Sequence, residues 1–278
     1  MPAQQIAENL AYINWTLLTG LAIGAFAAVL VARLRTSATR GFLAFTAACA
    51  VGFAVLAVLS DLGLPPRLTR PDAAVVDVPR LAALALFVVL AAGYVIVLAR
   101  GRRAPVLGGA ALVSGVATWF FAAAAWGGGF PGSVLLFVQL VVLGAATGGV
   151  FAAMILGHWY LVTPKLPEGP LVLISRLLLA VLVLQLGLFV AWSAVGAGAP
   201  GAETSGGFAV LVGPWALFAW LRLIVGLAFP IAVSWAAVQT ARTRSMESAT
   251  GLLYINVGTI AAGTILAAGL YFGAGILV

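Results

Sequence analysis

Apolar stretches long enough to cross a membrane recur along this chain from Ile13 to Val278. A membrane-spanning helix needs about 20 consecutive, mostly apolar residues. Eight stretches of this kind, separated by short breaks that are charged or rich in glycine and proline, are predicted at residues 12–32, 41–61, 81–99, 105–126, 134–162, 171–195, 215–240 and 251–276. The sequence therefore predicts an all-α, polytopic transmembrane helix bundle that forms a single domain over residues 1–278.

The composition excludes a water-soluble globular protein. Hydrophobic residues make up 64% of the chain and charged residues only 8%, whereas soluble domains carry about 25% charged residues. Such a chain cannot cover its surface with polar groups, so the excess apolar surface must face membrane lipid. The net charge of +7 would suggest nucleic acid in a soluble protein. Here the collection of basic residues on the cytoplasmic side explains it, and no nucleic-acid partner is predicted.

The distribution of basic residues between alternate loops predicts the orientation. The first, third, fifth and seventh loops carry nine basic residues and the other loops carry three: Arg33, Arg35, Arg40, Arg100, Arg102, Arg103, Lys165, Arg242 and Arg244 against Arg67, Arg70 and Arg80. Loops richer in lysine and arginine face the cytoplasm. The prediction is a multi-pass protein of a bacterial cytoplasmic (inner) membrane with both termini outside. The segment Phe208–Val212 is either re-entrant or interfacial.

Two segments of the chain resemble each other. Residues 24–31, GAFAAVLV, align with residues 149–156, GVFAAMIL, and both segments run from outside to inside in the predicted topology. A 4+4 parallel repeat with halves 1–130 and 131–278 would explain the likeness. Chance similarity between helices rich in alanine and glycine is the alternative.

Scarce metal-binding residues exclude several cofactors. The chain has one histidine, His158, and one cysteine, Cys49. A haem held by two histidines needs a second imidazole, and iron–sulfur and zinc sites need several cysteines or histidines. No haem pair, iron–sulfur cluster or zinc ion is expected, and the metal ligand set is predicted to be empty. The single lysine, Lys165, lies in a loop, so a retinal Schiff base is also excluded.

Three polar side chains near the predicted cytoplasmic face form the first candidate ligand site: His158, Tyr160 and Arg176. The fifth and sixth predicted spans are joined by a short turn, so these residues are expected to line one pocket. Donors of these types suit the carbonyl groups of a quinone, and a histidine can exchange a proton near neutral pH. The alternative is membrane anchoring, because tyrosine marks the interface and arginine reaches out to lipid phosphates.

Arg222 and Asp61 form the second candidate site, on the predicted outer side. Arg222 is expected about 10 Å below the surface, where an unpaired arginine costs several kcal/mol. Asp61 closes the second span on the same side. Two interpretations remain open: a structural Arg222–Asp61 pair, and an outer-leaflet site for an anionic or carbonyl-bearing ligand.

In size, helix number, outside termini and scarcity of histidine, the chain resembles the NrfD-like membrane-anchor subunits of respiratory molybdoenzymes, the polysulfide and dimethyl sulfoxide reductase type. The resemblance implies a quinone-binding anchor that exchanges electrons with partner subunits carrying redox centres. The first functional hypothesis is therefore a quinone-binding membrane subunit of a respiratory complex, without metal cofactors of its own. A small-molecule secondary transporter and a non-catalytic scaffold subunit are the alternatives.

Overall fold

Nine helices are present in the computed structural model, which describes residues 1–65, 73–163, 165–199, 202 and 206–278. They are α1 (Pro2–Glu8), α2 (Leu10–Arg35), α3 (Arg40–Leu62), α4 (Ala73–Ala99), α5 (Pro105–Trp126), α6 (Phe130–Val162), α7 (Gly169–Val195), α8 (Ala216–Arg242) and α9 (Met246–Ala274). The eight helices α2–α9 are long and apolar enough to cross a membrane. The predicted helical bundle of eight spans is thus confirmed.

The outer surface of the bundle is apolar along its long helices. Large hydrophobic side chains that are about half exposed occur on most of them, for example Leu56, Phe120, Leu184, Trp235 and Ile255. In water this surface would be unfavourable, because exposed apolar area costs about 25 cal/mol per Å². The chain is therefore a polytopic membrane protein whose lipid-facing residues surround a separate buried core.

At the centre of the bundle, α2 crosses α6 at unusually short range. Gly20 and Gly24 of α2 face Gly144 and Gly148 of α6, and a Cβ atom placed on Gly24 would lie 1.9 Å from the Gly144 carbonyl oxygen. Small residues spaced by four let helix backbones approach closely in lipid, where packing replaces the hydrophobic effect as the source of stability. The same stretch of α2, Gly20–Gly24, forms a π-helical turn.

The helices pack in the same order within each half of the chain. Neighbours in sequence contact each other from α2 to α5 and from α6 to α9, while α5 packs on α6 and α9 packs on α2. A 4+4 repeat would give this order, with α2 and α6 as the equivalent central helices. The repeat itself stays a prediction.

The connections lie alternately at two ends of the bundle. We call the end with residues 35–40, 99–105, 162–169 and 242–246 the arginine-rich end, and the other the opposite end. The arginine-rich end is the predicted cytoplasmic side, and that sidedness stays a prediction. Arg67, Arg70 and Pro164 lie outside the described residues.

The segment Phe208–Val212 lies at the opposite end and does not re-enter the bundle. It contains a short 3₁₀ turn, Ala209–Leu211. Its start is tied to the end of α7 by a hydrogen bond from the Phe208 amide to the Ser193 carbonyl, and the Trp220 indole donates to the Leu211 carbonyl. These contacts favour the interfacial alternative.

Candidate functional site

The three residues of the first predicted site do not meet. His158 is exposed on α6, Tyr160 is buried on the same helix, and Arg176 is exposed on α7. Two residues along an α-helix are about 200° apart, so His158 and Tyr160 leave α6 on nearly opposite sides. The Tyr160 hydroxyl donates to the Pro167 carbonyl at 2.5 Å and fastens the α6–α7 turn. Its role in ligand binding has no support from this geometry.

His158 instead pairs with a residue of α9. Its Nδ1 lies 3.4 Å from the hydroxyl of Tyr254, and both side chains are exposed on the surface. At 1.5 Å per residue, His158 lies about 6 Å from the end of α6 and Tyr254 about 12 Å from the start of α9. We call these two residues the His–Tyr pair. It joins an imidazole and a phenol on the exposed surface of the bundle, near the arginine-rich end.

A separate cavity of about 380 Å³ lies beside Tyr160 at the arginine-rich end. Its lining comes from the end of α6 and from the α8–α9 connection, including Arg244 and Glu247. Arg244 lies 3.7 Å from Glu168, and both side chains are about half exposed. A solvated ion pair of this kind contributes about 0–1 kcal/mol to stability. Neither His158 nor Arg176 lines this cavity.

At the opposite end, Asp61 is buried in a network with Arg80. The Arg80 guanidinium donates from Nε to Asp61 Oδ2 at 2.9 Å and from Nη2 to Asp61 Oδ1 at 3.0 Å. The Trp15 indole donates to the same carboxylate at 2.7 Å. Arg80 also lies 5.0 Å from the ring centroid of Trp126 and pairs with Asp77. The carboxylate and guanidinium therefore satisfy each other among aromatic rings that exclude water.

The predicted Arg222–Asp61 pair is wrong. Asp61 is engaged by Arg80 and Trp15, whereas Arg222 of α8 donates from Nη2 to Gln185 Oε1 at 2.7 Å. Gln185 in turn donates to the Val142 carbonyl at 2.7 Å. The prediction failed because it matched residues only by their depth in the membrane. The partner of Asp61 is Arg80, which lies on α4, one residue before the start of the predicted third span.

Arg222 reaches further into the bundle than the sequence predicted. The side chain is buried, and its guanidinium packs against Gly226 of α8 and Gly263 of α9. Gln185 and Gly263 lie about 15 Å from the C-terminal ends of α7 and α9, at the opposite end of the bundle, and this depth is half of the roughly 30 Å hydrocarbon thickness. In the described part of the chain, the ion pairs involve Arg80 and Arg244, and Arg222 has no carboxylate partner.

Pro230 explains one contact of Arg222. Proline has no amide hydrogen, so the carbonyl four residues earlier, that of Gly226, loses its usual helical donor. Arg222 Nη1 donates to that carbonyl at 3.2 Å. The Pro230 carbonyl accepts from Asn256 of α9 at 3.3 Å. Arg222 therefore bonds within the π-helical turn Ile224–Ala228, and Asn256 bonds two residues after it. Among the described residues, Nε of Arg222 has no hydrogen-bond partner.

This arrangement predicts effects of different size for two buried glutamines. Gln185→Leu removes the neutral acceptor of a buried guanidinium, and we expect the free energy of unfolding to fall by about 1.5–3 kcal/mol, the value of a hydrogen bond to a charged group. Gln139→Leu is the matched control, because Gln139 is equally buried and its Oε1 accepts no hydrogen bond. Unfolding in detergent should show a change below about 1 kcal/mol for Gln139→Leu. Equal losses in the two variants would contradict the assignment.

Sequence reasoning missed Tyr254 and Arg80. Tyr254 carries no local signal, because its importance follows from the packing of α9 on α6. Arg80 was assigned to a loop, whereas α4 begins at Ala73 and continues through Pro79. Asp77 lies three residues before Arg80, and side chains at this spacing can pair on a helix. This spacing is the signal that would have assigned Arg80 to a helix.

The three polar sites differ in what they can do. The Asp61–Arg80 network and the Arg222–Gln185 contact are buried, and most of their polar groups hydrogen-bond to each other. Their role is therefore structural. The side chains of the His–Tyr pair are exposed on the surface of the bundle, and an imidazole and a phenol can both donate and accept hydrogen bonds there. The chain matches no protein-family model, no curated protein and no solved structure.

Proposed function

We propose that this chain is the quinone-binding membrane subunit of an electron-transfer complex, and that the His–Tyr pair is its quinone site. The observation that carries the proposal is the 3.4 Å contact between the only imidazole of the chain and the phenol of Tyr254 on a lipid-exposed surface. A quinone reaches its site from the lipid phase, so a site on this surface needs no channel through the bundle.

The chemistry of a quinone matches the groups of the pair. Reduction of a quinone to a quinol adds two electrons and two protons, and the protons go to the carbonyl oxygens. At the carbonyl oxygen that faces the pair, the imidazole of His158 can supply or accept one proton and the Tyr254 hydroxyl can donate a hydrogen bond. The second proton is exchanged between the other oxygen and water at the nearby arginine-rich end. The electrons come from, or go to, redox centres on a partner subunit, as the resemblance to NrfD-like anchors implies.

A transporter receives less support from Arg222. An arginine on a proline-containing helix would support a transporter if it lined a solute cavity. The Arg222 guanidinium is instead surrounded by main chain, since a Cβ atom on Gly263 would lie 2.9 Å from Nη1. Its two hydrogen bonds are used within the bundle, which favours a structural role.

The test uses the complex purified with its native partners, and it measures both bound quinone and quinol turnover. We expect His158→Ala to lower turnover by about 100-fold, because general acid–base catalysis contributes 10²- to 10⁴-fold. Tyr254→Phe should raise the KM for quinol about 2- to 10-fold, the value of one hydrogen bond. Tyr160→Phe is the matched control, since this phenol is buried and bonded to Pro167, and its turnover should stay within twofold.

Two results together would contradict the proposal. They are the absence of bound quinone from the purified complex, and a turnover in His158→Ala equal to that of the unmodified chain.

A further inference from the structure

A second open site lies in the first half of the chain, at the arginine-rich end. A cavity of about 720 Å³ lies between α2, α4 and α5. Its polar part consists of three arginines, a tyrosine and a threonine: Arg33, Arg102, Arg103, Tyr94 and Thr36. Its remaining wall is mainly apolar and includes Leu30 and Leu112. We call it the arginine groove.

The charge of the arginine groove is not compensated. Among the described residues, its lining contains no aspartate or glutamate. Across the described ranges, ion pairs engage Arg80 and Arg244, and none involves Arg33, Arg102 or Arg103. Three guanidinium groups around one cavity repel each other, and an anion placed between them would relieve this repulsion. Arginine binds phosphate oxygens through paired, charge-assisted hydrogen bonds.

The groove continues from its charged rim along the membrane-spanning helices. Arg102 and Arg103 lie in the α4–α5 connection, whereas Leu112 lies seven residues into α5, about 10 Å further along the axis. Leu30 lies about 8 Å before the end of α2. A ligand that fills the groove therefore has a negative group at the rim and a hydrocarbon part beside the helices. A free phosphate ion lacks the second feature.

We propose that the arginine groove binds an anionic phospholipid, with its phosphate at Arg33, Arg102 and Arg103 and an acyl chain against Leu30 and Leu112. Basic pockets between transmembrane helices on the cytoplasmic side are a known form of headgroup site. The groove lies on the side that the charge distribution assigns to the cytoplasm. The proposal does not depend on quinone binding, because no residue of the His–Tyr pair lines the groove.

A 4+4 repeat would give this site a counterpart in the second half. Continuing the match between residues 24–31 and 149–156 by two positions aligns Arg33 with His158. A repeat would therefore place a guanidinium and an imidazole at corresponding positions of the two halves. A charged phosphate suits the first, whereas a neutral carbonyl ligand suits the second.

The test is native mass spectrometry of the delipidated full chain titrated with phosphatidylglycerol or phosphatidylcholine. We expect tight phosphatidylglycerol adducts that inorganic phosphate does not displace, and at least tenfold weaker phosphatidylcholine binding. Arg102→Ala/Arg103→Ala should weaken phosphatidylglycerol binding at least tenfold. Lys165→Ala/Arg242→Ala is the matched control, because it removes two exposed charges from the same end outside the groove, and its binding should stay within twofold.

A second variant keeps all charges and fills the apolar part. A Cβ atom on Gly109, which lines the groove, meets no atom within 4 Å, so Gly109→Leu should fold and weaken phosphatidylglycerol binding at least fivefold. Equal phosphatidylglycerol binding by the groove variants and the control would overturn the proposal. Displacement of the lipid by millimolar inorganic phosphate would also overturn it, since the site would then bind a soluble anion.

Discussion

Asp61→Ala is expected to lower the free energy of unfolding of the bundle by about 3–5 kcal/mol, the usual cost of removing one partner of a buried ion pair. The change leaves the buried Arg80 guanidinium with Asp77 as its remaining carboxylate, and it removes the acceptor of the Trp15 indole. The aromatic rings around Arg80 keep water away from its guanidinium, so the loss should lie at the upper part of this range. Unfolding in mixed detergent micelles measures it.

Two further variants separate this effect from simple loss of charge. Asp77→Ala removes a carboxylate that also contacts Arg80 but whose side chain is 45% exposed, so we expect a loss below about 1 kcal/mol. In Asp61→Ala/Arg80→Met both charges are gone, and most of the stability should return, because a buried ion pair replaced by apolar groups is often neutral. Equal losses for Asp61→Ala and Asp77→Ala would contradict the assigned network.

Gly148→Ala is expected to prevent the correct packing of α2 on α6. A Cβ atom at this position would lie 2.1 Å from the Ala25 amide nitrogen and 2.2 Å from the Gly24 carbonyl carbon. Main-chain atoms of a packed helix cannot move aside as a flexible side chain can. Overpacking usually costs 1–3 kcal/mol, and here we expect a loss of at least about 3 kcal/mol, seen as a lower yield of monodisperse protein and a lower unfolding midpoint.

The neighbouring glycine is the control for this prediction. A Cβ atom on Gly149 has as its nearest atom a side-chain methyl of Leu178 at 3.9 Å, an ordinary contact distance. Gly149→Ala should therefore leave stability unchanged or raise it by up to about 1 kcal/mol through helix propensity. If Gly148→Ala were as stable as Gly149→Ala, the close crossing of α2 and α6 would be wrong.

The number and position of the spans could be predicted because the energetic demand is local. Each helix must be apolar over the thickness of the bilayer, and that demand is visible in the sequence. The residues at which the helices begin and end are harder to predict from the sequence. The second predicted span began at residue 41 and the helix begins at Arg40, whereas the third was predicted from residue 81 and begins at Ala73. A proline and two charged residues concealed that extension.

The partners of polar residues could be predicted only in part, because contacts between distant helices decide them. Asn256 donates an interhelical hydrogen bond to Ser234 at 2.8 Å, in keeping with the general tendency of buried amides to join helices in membranes. Helical periodicity alone would have separated His158 from Tyr160. Finding Tyr254 beside His158 required the packing of α6 against α9, which no local pattern in the sequence shows.

Photolabelling with a light-activated azidoquinone tests quinone binding at the His–Tyr pair most directly. The label should appear on peptides that contain His158 and Tyr254, an excess of natural quinone should suppress it, and His158→Ala should lower its yield at least fivefold. Tyr160→Phe should leave the yield unchanged. Labelling confined to the arginine groove, or labelling of the His–Tyr pair that natural quinone does not suppress, would contradict the account.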